Sequence, residues 1–162
     1  MTKYLAVLTA LLFTTLFAAG QQTNQVKLSA NLRSGWKLAG DELSILQNHN
    51  LLPNTGFGVW FNDVRGGFLD GSSWIFGSTY DVINGHGNEL GYCVGTDGDG
   101  DQIFTSLSSE GPKDGADIVG LHKITGGTGK YLGVEGDITA RCTIQTQFHQ
   151  LVCSNVASYT RR

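Results

Sequence analysis

The most regular pattern of apolar and polar positions runs from Ser72 to Val94. Trp74, Phe76, Tyr80 and Val82 alternate with Ile75, Gly77, Thr79 and Asp81, the period of two that sends successive side chains to opposite faces of a strand. Asn84-Gly85 marks the turn that follows. Two registers compete there. A two-residue loop pairs Tyr80 with Glu89 and turns the next strand's apolar residues away from the aromatic face. A five-residue loop, Asn84 to Asn88, pairs Val82 with Leu90 and Tyr80 with Tyr92, and adds Val94 to that face. A one-residue slip reverses every side chain, so the hydrophobic pattern selects the longer loop.

The same period recurs downstream. A turn at Thr96 to Gly100 precedes a strand from Asp101 to Leu107, Ser108 to Gly115 reads as a polar loop, and Asp117 to Ile124 as a further strand. After a turn at Gly126-Gly127-Thr128-Gly129, a long strand is expected from Lys130 to Ile144. Val134, Gly136, Ile138, Ala140, Cys142 and Ile144 share one face of it, and Glu135, Asp137, Thr139, Arg141 and Thr143 the other. Val26 to Leu32, Gly56 to Asn62 and Phe148 to Val156 bring the total to about eight strands. Only Asp41 to Leu52 has a helical look, enough for a short helical or irregular segment. With no helices between strands, a parallel α/β sheet is excluded. One apolar face per strand fits an antiparallel sandwich or barrel.

Composition favours the barrel. Glycine occurs 23 times in 162 residues, roughly twice the ~7% average. Glycines at bends let a sheet curl until it closes on itself and loses its edges. The first twenty residues stand apart: Lys3, an apolar run from Leu5 to Phe17, and Ala18-Ala19-Gly20 have the form of a cleavable signal peptide. Residues 21–162 are then expected to form one β-barrel domain, secreted or periplasmic. No stretch is long and apolar enough to span a membrane. The net charge is −3 and the basic residues are scattered, which leaves no footprint for nucleic acid. Of three cysteines, Cys142 and Cys153 flank a stretch that reads as a hairpin. They are the expected disulfide, because sulfurs on non-adjacent strands lie too far apart to bridge; Cys93 is left free.

Gly126-Gly127-Thr128-Gly129-Lys130-Tyr131-Leu132-Gly133-Val134-Glu135-Gly136 resembles the GGTG-aromatic-x-G-x-x-G signature of the allene oxide cyclase and dirigent barrel superfamily. Gly91-Tyr92-Cys93 through Asp101 is similar to small bacterial proteins related to that barrel. The resemblance covers about a third of the chain. It implies a calycin-like, eight-stranded antiparallel barrel around an apolar cavity, often oligomeric, that steers cyclisation or radical coupling of hydrophobic molecules by shaping them. The matching positions, Gly126, Gly127, Gly129, Tyr131, Gly133 and Gly136, are structural, and no counterpart of the plant cyclases' polar catalytic residues is found. Glycine within a strand adds unfolded-state entropy and no packing. At Gly136, on the apolar face, an inward aromatic such as Tyr92 or Trp74 is therefore expected to fill the missing space.

Little else signals chemistry. Gly129-Lys130 does not make a phosphate loop, since Ile124 and Tyr131 stand where glycine and Ser or Thr are required. Asp97, Asp99 and Asp101 have the 1-3-5 spacing of a calcium loop, yet Gln102 and Ser108 break the rest of the pattern; the competing reading is a polar turn. Of four histidines, His86 and His149 are expected in solvent. His122 faces inward if Ile118, Gly120 and Ile124 do, and outward if Val119, Leu121 and Lys123 do. Trp60, Trp74, Phe76, Tyr80, Tyr92 and His122 are the candidate cavity lining, with plain core as the alternative for the aromatics. No motif calls for a cofactor, and no nucleophile elbow is present. The leading expectation is an exported barrel that binds a small hydrophobic molecule and, if an enzyme, isomerises or cyclises it by shaping, as a homo-oligomer if it follows the resemblance. The competitors are a non-catalytic envelope or secreted interaction protein with a filled barrel, and a calcium-dependent binding module.

Overall fold

The computed structural model describes residues 26–112, 118–145 and 148–161; the expected signal peptide lies outside them. Nine antiparallel strands run in chain order: β1 Val26–Ala39, β2 Leu43–Leu46, β3 His49–Asn62, β4 Ser72–Ile83, β5 His86–Thr96, β6 Gln102–Pro112, β7 Ile118–Gly127, β8 Glu135–Gln145 and β9 Gln150–Arg161. Each of β3 to β8 pairs with the next, β9 pairs with β1, and β1 pairs with β3. That last pairing, Leu32 opposite Asn62 through Ala39 opposite Thr55, closes an eight-stranded barrel. The short β2 continues beyond the end of β1 along the start of β3. No helix among the described residues is long and apolar enough to cross a membrane.

One device repeats around the wall. Trp36 packs over the position where Gly58 lacks a Cβ, Phe76 over Gly56, Trp74 over Gly95 and Tyr80 over Gly87. Each inward aromatic is seated on a glycine of the neighbouring strand, which brings its ring close to the sheet. Trp60 and Trp74 then stack at mid-barrel, centroids 4.5 Å apart and planes 20° apart, while Trp36 meets both Trp60 and Phe76 edge-on.

This device explains the register that differs from expectation. β4 and β5 join through the two-residue loop, with Ile83 opposite His86 and Tyr80 opposite Glu89, and Asn84 and Gly85 both at positive φ. The inner face of β5 carries Gly87, Glu89, Gly91, Cys93 and Gly95, so Leu90 and Tyr92 point outward, 71% and 73% exposed. The aromatics of β4 need room, not apolar partners, across the ladder.

Three other expectations change. Asp41 to Leu52 holds no helix: β2 and the start of β3 form a hairpin there, with Leu46 opposite His49 and Asn48 at φ 63°. Asparagine tolerates that left-handed turn, and Leu43, Ile45 and Leu46 are exposed, so no buried stripe exists for a helix to lay down. Ser108 to Pro112 is not loop but the end of β6, its serines alternating between the interior and solvent. Residues 130–134 are not strand. Gly129–Tyr131 is a 3-10 turn, Gly133 takes φ 74°, and β8 begins at Glu135.

The inner face of β8 holds Ile138, Ala140, Cys142 and Ile144 as the alternation requires. Cys142 and Cys153 are directly paired on β8 and β9 and form the disulfide, S–S 2.06 Å. The space beside Gly136 is taken neither by Tyr92 nor by Trp74. A Cβ there would strike the Ser158 carbonyl and approach Tyr159 Cα to 2.7 Å; β9's own backbone fills it.

One end of the barrel is plugged. Between β3 and β4 the chain turns inward, and Asp70 holds it by accepting from the Asn62 and Gly66 amides at 2.9 and 2.7 Å. Phe68 and Leu69 are thereby buried. Phe68 stacks on Tyr159 at 3.9 Å and meets Tyr131 edge-on at 5.9 Å. At this end the Asp97 to Asp101 turn docks on the 3-10 turn. The Lys130 ammonium lies 2.7 Å from carboxylate oxygens of both Asp97 and Asp99. The Lys130 amide donates to Asp101 and the Gln102 amide to Thr128 Oγ1. Burial works to raise the Asp97 carboxyl, but the lysine and the Asp99 and Asp101 amides prevail and hold it below its usual range.

Candidate functional site

Opposite the plugged end, the described strand ends surround a cavity. The cavity has a volume of about 70 Å³ and descends along the barrel axis. Its wall comes from the ends of the strands on that side. Leu38, Leu107, Ile118, Ile144, Leu151 and the Cys142–Cys153 disulfide make the apolar part, and Trp36, Phe76 and Tyr80 the aromatic part. The disulfide ties two wall strands together directly at the cavity.

Two polar groupings interrupt this lining. On one wall Glu89 accepts from the hydroxyls of Ser78 and Ser109, the latter at 2.8 Å. Beside it, Tyr80 donates its hydroxyl to the Gly111 carbonyl at 2.8 Å. Burial raises the Tyr80 phenol above its usual value, with a further push from Glu89. Deeper, His122 Nδ1 lies 3.6 Å from Cys93 Sγ and 3.4 Å from Thr105 Oγ1. The His122 ring stands edge-on to Trp60 at 5.5 Å.

A thiol beside an imidazole invites a nucleophilic reading, and the electrostatics oppose it. Activation needs thiolate next to imidazolium. Burial pushes the Cys93 pKa up to about 12 and the His122 pKa down to about 4. Both members are therefore neutral at physiological pH, and the pair serves as a polar, uncharged cavity floor.

The His122 shift has a measurable consequence. An unfolded histidine titrates near 6.5, so between about pH 6.5 and 4 the unfolded chain binds the extra proton. Stability is then complete above about pH 6.5 and declines as pH falls towards 4, by on the order of 3 kcal/mol from this residue. Urea midpoints for wild type and His122→Gln at pH 7 and pH 4.5 should show the variant losing much less on acidification. Equal losses would mean that His122 is already free to protonate in the folded chain.

The sequence candidates fall into separate places. Phe76, Tyr80 and His122 line the cavity, Trp60 and Trp74 lie beneath it with 0% exposure, and Tyr92 is on the outer wall beside Leu90 and Leu121. Gly126 and Gly127 end β7, and Gly129 and Tyr131 belong to the plugged end. Asp97, Asp99 and Asp101 are there too, engaged by Lys130 and by backbone amides. Among the described residues no three His, Cys, Asp or Glu side chains are grouped to hold a metal. His86 and His149 are exposed, and His49 bonds Asp81 at 2.7 Å. Sequence reading missed Glu89, Ser109 and the Cys93–His122 contact. The Asn84-Gly85 dipeptide was the available signal for the first, since a two-residue loop turns Glu89 inward. Nothing local could have paired residues on β5 and β7.

No protein-family model matches the chain, and no curated protein matches it. Among solved structures, that of the pterocarpan synthase dirigent protein GePTS1 aligns over 85% of this chain and 90% of its own, with a TM-score of 0.51 and 12% identity. At that identity the likeness is one of fold: the barrel of this chain is similar to that of a dirigent protein.

Proposed function

We propose that this protein is exported, binds one small hydrophobic molecule in its barrel cavity and, where it transforms that molecule, does so by holding its shape. The observation that carries the reading is the cavity itself. The barrel's own aromatics fill its middle, yet among the described residues a mostly apolar space with a few polar groups remains at the end opposite the plug. The neutral Cys93–His122 floor and the absence of an activated nucleophile there favour shaping over covalent chemistry. The dirigent-like fold agrees with this by analogy alone. A disulfide supports an oxidising compartment, and the apolar outer wall at Phe57, Ile75 and Tyr92 supports assembly of several copies.

Titration with the neutral dye N-phenyl-1-naphthylamine tests the reading. Its fluorescence should rise and saturate at one dye per chain. Leu107→Trp, which fills the cavity from its wall, should weaken binding by about tenfold or more, roughly 1.4 kcal/mol, with its fold checked by thermal melting. The outer-wall substitution Leu90→Ala should leave binding unchanged. Dye binding insensitive to Leu107→Trp would place the site elsewhere and end this proposal.

A further inference from the structure

We propose that the cavity selects a hydrophobic ligand bearing a cationic amine, with Glu89 as the counter-ion; this rests on the cavity-binding reading above. Among the described residues, Glu89 is the one Asp, Glu, Lys or Arg side chain in the lining. No basic side chain among the described residues pairs with it; Arg33 is engaged by Asp63, His49 by Asp81 and Lys130 by Asp97 and Asp99. Its place is enforced by the fold. The Asn84-Gly85 loop sets the β5 register, and one residue of slip would send it to solvent with Leu90.

Ser78 and Ser109 steady the carboxylate, one hydroxyl on each oxygen. A carboxylate has about four acceptor positions, so two hydroxyls leave about half of them for a ligand. A purely hydrocarbon ligand would strip water from these positions and replace none of its hydrogen bonds, an uncompensated cost. An anionic ligand meets like charge in an apolar wall, and the neighbours already register that field: Glu89 adds to burial in raising both Tyr80 and Cys93. An ammonium group supplies both the opposite charge and the missing donors in a site that screens them poorly. The rings of Trp36, Phe76 and Tyr80 line the same space, and aromatic faces attract cations further. The chemistry therefore discriminates among ligands of equal hydrophobicity by their head groups.

The test is displacement of N-phenyl-1-naphthylamine at pH 7 by octylamine, octanol and octanoate, which share one tail. For the wild type, octylamine should displace the dye at about tenfold lower concentration than octanol, with octanoate weakest. Glu89→Gln keeps an acceptor for one serine and turns an amide donor to the other, whose hydroxyl can accept it. It should bring octylamine and octanol within about twofold of each other, once each displacement is corrected for the variant's own dye affinity. Octanol matching octylamine on the wild type, or an amine advantage that survives Glu89→Gln, overturns the proposal. So does dye that binds but yields to none of the three, a result that leaves the cavity reading standing. Absence of dye binding overturns both.

Discussion

Gly136→Val should cost on the order of 2–6 kcal/mol and lower the melting temperature by about ten degrees or more. Gly136 faces Tyr159 across the β8–β9 ladder, with φ at 147°. Two penalties act together there. The added Cβ collides with the Ser158 carbonyl and the Tyr159 backbone. These are main-chain atoms locked in a closed sheet, and overpacking of this kind costs about 1–3 kcal/mol. An L side chain at this φ is also strained, by a further ~1–3 kcal/mol. At a few degrees per kcal/mol for a chain of this size, the sum is a large shift. Because the clash begins at Cβ, Gly136→Ala should already show most of it. Gly77→Ala is the matched control: it lies within β4 at ordinary φ, with nothing within 4 Å of the added methyl, and should melt near wild type. If Gly136→Val melts within a degree or two of wild type, β8 and β9 do not approach as closely at this rung as the structure has them.

Trp60→Ala should destabilise the barrel by about 3–5 kcal/mol, the range for emptying a fully packed aromatic site. Trp60 has 0% exposure, and its ring contacts Trp74, Trp36 and His122. Removal strips a stacking partner and two edge contacts at once. Hydrogen-bonded walls on every side of a closed barrel limit how far the space can collapse, which keeps the cost towards the upper part of that range. Trp60→Phe, which keeps a ring in the stack, should cost substantially less. Urea denaturation with unchanged m-values reads the difference directly. A loss below about 1 kcal/mol for Trp60→Ala would mean that the central aromatic stack is not what supports the cavity floor. The same variant deepens the cavity, so N-phenyl-1-naphthylamine should still bind it.

How much could be read from residues alone follows from the range of the interactions involved. The β8 face Ile138, Ala140, Cys142 and Ile144 was legible because period two is a property of one strand. The Cys142–Cys153 bridge was legible because its hairpin is local, with eleven residues of separation. The register of β5 was misread for the same reason: apolar residues were counted strand by strand, and Leu90, Tyr92 and Val94 outscore Gly87, Glu89, Gly91 and Gly95 on that count. The Asp97, Asp99 and Asp101 spacing resembled a cation site, and the cation it meets, Lys130, lies on a separate turn brought close only when the plugged end assembles.

The sequence by itself determined that the chain is all-β, antiparallel and rich enough in glycine to close, and it favoured the cysteine pair that the structure joins. These depend on alternation, turn residues and neighbours along the chain. Only the tertiary structure decided what faces the cavity: Glu89 with its two serines, and Cys93 against His122. A glycine is silent in a hydrophobic pattern. Across the ladder it is the space into which Trp36, Trp74, Phe76 or Tyr80 fits. That space is a property of two strands at once, so the inner face of β5, and the single carboxylate it carries into the cavity, follow from packing between strands rather than from the pattern along either one.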